Sequence, residues 1–349
     1  MRQVAIFSIL LVIAVITSCS STEDDSGLFE FEIPEYINQS IAQPDYNLAT
    51  EKGVELGKKL FFDPVLSANN NVSCASCHLP SKSFSDGMAQ RISSTSGNRL
   101  MRNSPALHNV GFVDSLFWDG GAPNLEFLNS GPIAHEDEMA QDLGSLVKKL
   151  NAHSEYPALF KEAFGVDEFK FYEVSNALSQ YMRSLTSFNS KYDKVKKGEA
   201  TFTTEEQDGY EIYKTHCASC HTEGLFTDNL YHNNGLDSVY SNDTLFGIEK
   251  GRFRITFDSL DMGKYKTPNL RNLAYTAPYM HDGRFETLEE VMSHYNGGIK
   301  KSPTLDRRLK ELLNENGLSL SNVKITSLIA FLNTLNDDEF VKYHTQSRP

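Results

Sequence analysis

Apolar residues fall along this chain in three kinds of pattern, and each predicts a different element. Val4 to Ile16 is an almost unbroken apolar run behind a short basic start, Met1-Arg2. It is too short to span a bilayer comfortably and has the layout of a secretory signal peptide. Helical spacing follows: Phe171, Val174, Leu178, Tyr181, Met182 and Leu185 share one stripe, and Val323, Leu328, Ile329, Leu332 and Leu335 share another. Stripes of that period are the core faces of amphipathic helices. Thr204-x-x-Gln207 reads as a capping box that opens a helix, and Thr50 opens an equivalent one earlier. The third pattern is polar. Ser20 to Gly27 reads as a flexible tether, and Glu223 to Asp261, rich in Asn, Asp and Gly, as a long loop. Lys191 to Thr203 is charged and short of apolar residues, so the boundary between two halves is expected there.

The pattern also repeats. Ser104-Pro105-Ala106-Leu107-His108-Asn109, Phe117-Trp118-Asp119-Gly120 and Leu125-Glu126 recur as Thr267-Pro268-Asn269-Leu270-Arg271-Asn272, Met280-His281-Asp282-Gly283 and Leu288-Glu289, at a constant offset of 163. A fixed offset over so many positions points to two copies of one unit.

Charge and cysteine content sharpen this picture. A net charge of −13 argues against nucleic acid and against a basic membrane-binding face. Of five cysteines, Cys19 ends the signal-like segment as the lipid-modified cysteine of a bacterial lipobox would. The other four form Cys74-Ala75-Ser76-Cys77-His78 and Cys217-Ala218-Ser219-Cys220-His221. C-x-x-C-H is the attachment signature of c-type haem: two thiols add to the porphyrin vinyl groups and the histidine binds iron. Zinc pairs would sit closer than these, which are 143 residues apart, and zinc gives no reason for a histidine after each. A thioredoxin-like pair would need a strand–helix alternation that is missing.

The expected fold class is therefore mainly α: two cytochrome c-like haem domains related by internal duplication, with two covalently bound haem c. The expected division is 1–18 signal peptide, 19–45 lipidated N-terminus and linker, 46–200 N-terminal haem domain and 201–349 C-terminal haem domain. His78 and His221 are the proximal iron ligands. For the sixth position of the second iron the residues offer Met280, His281, Met292, His294 and Tyr295. A filled sixth position suits electron transfer, and an open one lets iron bind peroxide. Stepping 163 back from Tyr295 reaches Pro132, which has no ligating side chain, so the first haem is expected to be open.

The chain resembles the dihaem cytochrome c peroxidase family, which includes a MauG branch. The resemblance runs from about Gly53 to Leu335. It rests on Leu60-Phe61-Phe62-Asp63-Pro64, both haem motifs, Arg102-Asn103-Ser104-Pro105, Phe117-Trp118-Asp119-Gly120, Pro132 with Glu138-Met139, and Pro278-Tyr279-Met280-His281-Asp282-Gly283. It implies that hydrogen peroxide is reduced at the first haem beside Glu138 as acid–base residue, with Pro132 on the open face. Electrons would come from a c-type cytochrome or cupredoxin, enter at the second haem and pass by way of Trp118. A Met or, in the MauG branch, a Tyr would ligate the second iron, and counting from Thr287-Leu288-Glu289 gives Tyr295. It also implies one Ca²⁺ held by Asn103, Thr276 and Pro278. The N-terminal segment itself predicts an exported periplasmic or cell-envelope lipoprotein that meets the membrane through its lipid only, and a homodimer is compatible with this reading. Alternative readings are oxidation of a partner protein and non-catalytic electron transfer. Two departures stand out. Leu79 to Leu107 lacks the histidine that blocks the resting iron in many members, and Gly121 replaces an arginine common after Trp-Asp-Gly.

Overall fold

The computed structural model describes residues 27–240, 248–314 and 317–349. The signal-like segment and Cys19 lie outside the described residues. The fold is mainly helical. In chain order the helices are α1 (Glu51–Phe62), α2 (Leu125–Leu128), α3 (Ser130–Ala134), α4 (Leu143–Asn151), α5 (Tyr156–Phe164), α6 (Phe171–Arg183) and α7 (Lys191–Lys196). They continue as α8 (Thr204–His216), α9 (Phe253–Thr256), α10 (Leu288–Ser293), α11 (Arg307–Asn314), α12 (Asn322–Asn333) and α13 (Asp338–Gln346). Among the described residues the strands are two residues each, β1 (Tyr231–His232) and β2 (Tyr265–Lys266), antiparallel with Tyr231 opposite Lys266. No helix among the described residues is long and apolar enough to cross a membrane.

Two helix pairs organise the chain, α1 on α6 and α8 on α12. Glycine sets how close each pair comes. A Cβ at Gly57 would lie 1.9 Å from the Ala177 carbonyl oxygen, and one at Gly209 would lie 1.9 Å from that of Ser327. Thr50 caps α1, its hydroxyl accepting from Gly53 N at 3.0 Å. The box that opens α8 is one residue earlier than expected: Thr203 pairs with Glu206 at 3.2 and 2.7 Å. Two boxes overlap along Thr203-Thr204-Glu205-Glu206-Gln207, and the carboxylate wins because a charged acceptor binds amide N–H more strongly at a helix N-terminus.

The stripe on α6 buries Val174, Leu178, Tyr181 and Met182, and Leu185 just beyond it is also buried. On α12 the buried face is Leu328, Phe331 and Leu332, whereas Val323, expected inside, is exposed. Val323 is in the first turn, before the helix reaches α8. One core cluster gathers α1, α4, α5 and α6. A second gathers α8, α10 and α12 around Tyr213, Phe226 and Phe331. The last helix, α13, packs Phe340 and Val341 into the first cluster, not the second. A third, small cluster of Ile37, Ile41, Phe112, Phe188 and Leu225 lies between them.

The charged stretch Lys191 to Thr203 is less loop-like than its composition suggests. Tyr192 and Asp193 on α7 are fully buried. Arg271 donates two 2.9 Å bonds to Asp193 and one of 2.8 Å to Gly224 O, while Tyr36 and Ser190 also bond Asp193. This fully buried ion pair ties the N-terminal segment, α7 and the loop after the second haem motif to one point.

Candidate active site

The first Cys-x-x-Cys-His motif forms a single 3₁₀ turn, Cys74–Ser76, opened by Ser73 and Ser76, with Ser76 Oγ accepting from Ser73 N at 3.1 Å. The turn continues to His78 N, which donates to Cys74 O at 2.9 Å. His78 Nδ1 meets Phe84 O at 2.9 Å, which fixes the ring and leaves Nε2 as the nitrogen that could ligate a metal. The second motif caps α8, where Cys217 N donates to Tyr213 O at 2.8 Å, and His221 Nδ1 meets Phe226 O at 3.1 Å. Burial lowers the pKa of both histidines, keeping the neutral imidazole that iron requires. All four thiols are free, although only two residues separate the members of each pair. Free thiols beside a buried, oriented histidine fit covalent haem at both motifs.

At the first motif a cavity of about 820 Å³, its open mouth included, is lined by Cys74, Cys77 and His78 together with Pro132 and Glu138. Phe61, Leu178, Met182 and Ile133 make its walls apolar. The segment 132–139 is held by Met139 N to Pro132 O at 3.2 Å and by Thr95 Oγ1 to Glu138 O at 2.6 Å. Burial raises the Glu138 carboxyl; the nearby His135 opposes this and Asp137 adds to it. His108, which the repeat pairs with Arg271, is no free ligand: Nδ1 meets Ser83 Oγ at 2.9 Å and Nε2 meets Asn269 Oδ1 at 3.3 Å.

In the second half, burial pushes the Tyr295 phenol up to about 12, and it interacts with the Asn234 side chain and with Cys220 and Cys217. Tyr295 is thus near the second motif. The same Asn234 amide donates to Met280 Sδ at 3.5 Å. The other candidates are engaged elsewhere. Met292 packs in the second core, His294 Nε2 meets Asn234 O at 3.0 Å, and His281 stacks on Tyr265 at 3.6 Å. Beside Cys220, His232 bridges Asp228 and Asp306, both at 2.8 Å, which engages both ring nitrogens.

Between the halves, Trp118 Nε1 donates to Asn103 O at 2.9 Å and Trp118 O accepts from Lys266 N at 2.8 Å. Asn103 Nδ2 donates to Pro278 O at 2.7 Å, but Asn103 Oδ1 is buried without a partner. An orphaned amide oxygen beside a backbone carbonyl suits a hard cation. Asp119, next to Trp118, is gripped by Arg102 and Arg254 at 2.8 and 3.0 Å. Asn234 and Arg254 were not singled out by the sequence; both lie in the polar loop, where no periodicity marks them.

Residues 51–201 match the di-haem cytochrome c peroxidase family. The chain is 35% identical over 329 residues to the methylamine utilization protein MauG of Methylorubrum extorquens, covering 92% of this chain and 88% of that one. It is 32% identical to the cytochrome-c peroxidase IdrP2 of Denitromonas iodatirespirans, covering 85% of each. A solved MauG-like protein associated with microbial copper homeostasis superposes with a TM-score of 0.83 at 32% identity, covering 92% of this chain and 99% of that one.

Proposed function

The chain belongs to the di-haem cytochrome c peroxidase family, and from that premise we propose that its first cavity reduces hydrogen peroxide to water with electrons from a c-type cytochrome or cupredoxin. The observation that carries this reading is the convergence of Cys74, Cys77 and His78 with Pro132 and Glu138 on one cavity. Cys74, Cys77 and His78 Nε2 would hold a haem c, which would supply the redox-active iron needed for O–O cleavage. Pro132 presents no ligating atom there, so the protein does not compete for the open position. Glu138 takes a proton from one peroxide oxygen and returns it to the other, which departs as water. Its raised pKa brings the carboxyl closer to the working pH, where such transfer is efficient. The full reaction consumes two electrons and two protons per peroxide and yields two waters.

Cys217, Cys220 and His221 would hold the second haem, with Tyr295 as the candidate further ligand; that haem would supply the entry point for the donor's electrons, with Trp118 as the relay. Support for Tyr295 comes from its burial near Cys217 and Cys220. A tyrosine ligand also favours a second reading, oxidation of residues in a partner protein, as the MauG relative's similarity allows. A non-catalytic carrier would need a ligand where Pro132 stands. Ca²⁺ at Asn103, Pro278 and Thr276 would satisfy Asn103 Oδ1. The two halves are copies of one haem-binding unit. In support, the bridges Leu116–Ala122 and Tyr279–Phe285 recur at offset 163, as do left-handed Asn109 and Asn272 at φ 58° and 61°. The protein is exported, and Cys19 carries its lipid.

Steady-state peroxide consumption with reduced cytochrome c tests the leading reading. Wild type turns over, and Glu138→Gln loses about 10²–10⁴-fold in rate. No turnover by the wild type with several competent donors would remove it.

A further inference from the structure

The turn Trp118-Asp119-Gly120 has a counterpart 163 residues on, His281-Asp282-Gly283. There the aspartate finds its cation locally: Arg284 Nε donates to Asp282 Oδ2 at 2.8 Å, two residues along. The position matching Arg284 in the first turn is Gly121. Yet Asp119 is the more buried of the two aspartates, its side chain 5% exposed against 19% for Asp282. A carboxylate taken that far from water needs a cation beside it.

The cations come from elsewhere. Arg102 Nη1 and Arg254 Nη1 both reach Asp119 Oδ2, at 2.8 and 3.0 Å. Arg254 is on α9, in the second half of the chain. Its neighbour Arg252 donates to Asp119 O at 2.9 Å and Gly120 O at 3.2 Å, and lies 4.2 Å over the Tyr231 ring. Glycine makes the approach feasible. A Cβ on Gly120 would sit 2.1 Å from Arg252 Nη1, and one on Gly121 would sit 3.2 Å from Ile255 Cδ1. Glycine at 121 therefore removes the local guanidinium, while the terminal methyl of Ile255 can turn aside for a side chain placed there.

We propose that Arg254 is a positioning residue that locks the Trp118–Gly120 turn to the second half of the chain, supplying Asp119 across the seam with the guanidinium that its own turn lacks. The consequence for electron transfer rests on the reading of Trp118 as the relay. Trp118 is bonded on one side to Asn103 and on the other to Lys266. Arg254 fixes the residue next to it, so the indole holds one position relative to both haem motifs. Transfer through a relay depends steeply on such placement.

The test uses the two-haem protein and the variants Arg254→Gln, Trp118→Phe and Arg254→Gln with Gly121→Arg. Hydrogen exchange of the segment 116–122 reads the lock directly, whatever route electrons take. Arg254→Gln speeds that exchange at least several-fold with both haem spectra unchanged, and the added Gly121→Arg returns it toward wild type by restoring the arrangement of Asp282 and Arg284. Stopped-flow transfer from the reduced second haem to peroxide-oxidised first haem reads the consequence. Arg254→Gln slows it about tenfold, an effect in the range expected for small misplacements, and the double variant recovers most of the loss. Unchanged exchange in Arg254→Gln overturns the lock. Faster exchange with an unchanged rate, while Trp118→Phe is slow, overturns the positioning role. An unchanged rate in Trp118→Phe removes the relay reading and with it the kinetic consequence, but not the lock.

Discussion

Placing a methyl group on Gly57 tests whether the α1–α6 crossing governs the first haem site. In most helices a glycine-to-alanine change stabilises, by about 0.5–1 kcal/mol. Here the new Cβ would lie 1.9 Å from Ala177 O, where ordinary contact begins at 3.4 Å, so the helices must part by about 1.5 Å. The obstacle is backbone and cannot rotate away. Overpacking of this kind costs about 1–3 kcal/mol, and a backbone clash belongs at the upper end. Subtracting the propensity gain leaves a net loss of about 2 kcal/mol, or about 3 °C in Tm for a chain of this size. The parted helices carry Phe61, Leu178 and Met182, which line the first cavity. Urea and thermal unfolding give the stability, and the Soret band of each haem reports the site. Gly57→Ala should shift the first haem and Gly209→Ala the second. Gly144→Ala is the control: its Cβ would meet nothing closer than 3.5 Å, so it should be neutral or stabilising. If Gly57→Ala proved as stable as wild type, the close crossing would not be what sets the helix spacing.

Three further outcomes follow from the same structure. Because burial raises the Glu138 pKa, the acid limb of kcat/KM against pH should lie above the ordinary glutamate value of about 4.3; His135→Asn, which removes an opposing positive charge, should move it higher, and a limb unmoved in Glu138→Gln would assign it elsewhere. A raised folded-state pKa stabilises below the unfolded pKa and loses that contribution as pH rises through the folded value, so Glu138→Gln should be at least as stable as wild type at pH 7 and lose any advantage near pH 4, measured by Tm. Arg271→Met, which strands Asp193 in the interior, should cost about 3–5 kcal/mol in urea unfolding, whereas a loss under 1 kcal/mol would mean water reaches the pair.

What the sequence made legible was local. Both haem motifs carry their chemistry in five consecutive residues, and the helical stripe on α6 needs only the 3.6-residue period. The offset of 163 was readable because the turns it relates are themselves short. Glu138 and Pro132 were legible through the resemblance and the repeat, and the cavity unites them with His78. The contacts that escaped join distant segments without periodicity. Arg271 is read as one polar residue among many until Tyr36, Asp193 and Gly224 are seen around it. Asn234 and Arg254 sit in a stretch whose composition announces only polarity, although Arg254 falls on the short helix α9. Thr203 and Thr204 show the limit at short range, since two overlapping boxes differ only in which acceptor is charged.

The position of α13 has a consequence for how the protein is made. Phe340 and Val341, at the end of the chain, complete the core around the first haem motif, near its beginning. Contacts of such long sequence separation form late, after the loop-closure entropy of the intervening chain has been met. While the chain is still emerging, the segment that holds His78 through Phe84 O lacks the ring of Phe340 against Phe84. A haem joined to Cys74 and Cys77 in that interval would meet a core not yet closed by the last helix. A chain truncated before Asp338 should therefore still acquire its first haem, yet hold it in a core that never finishes folding.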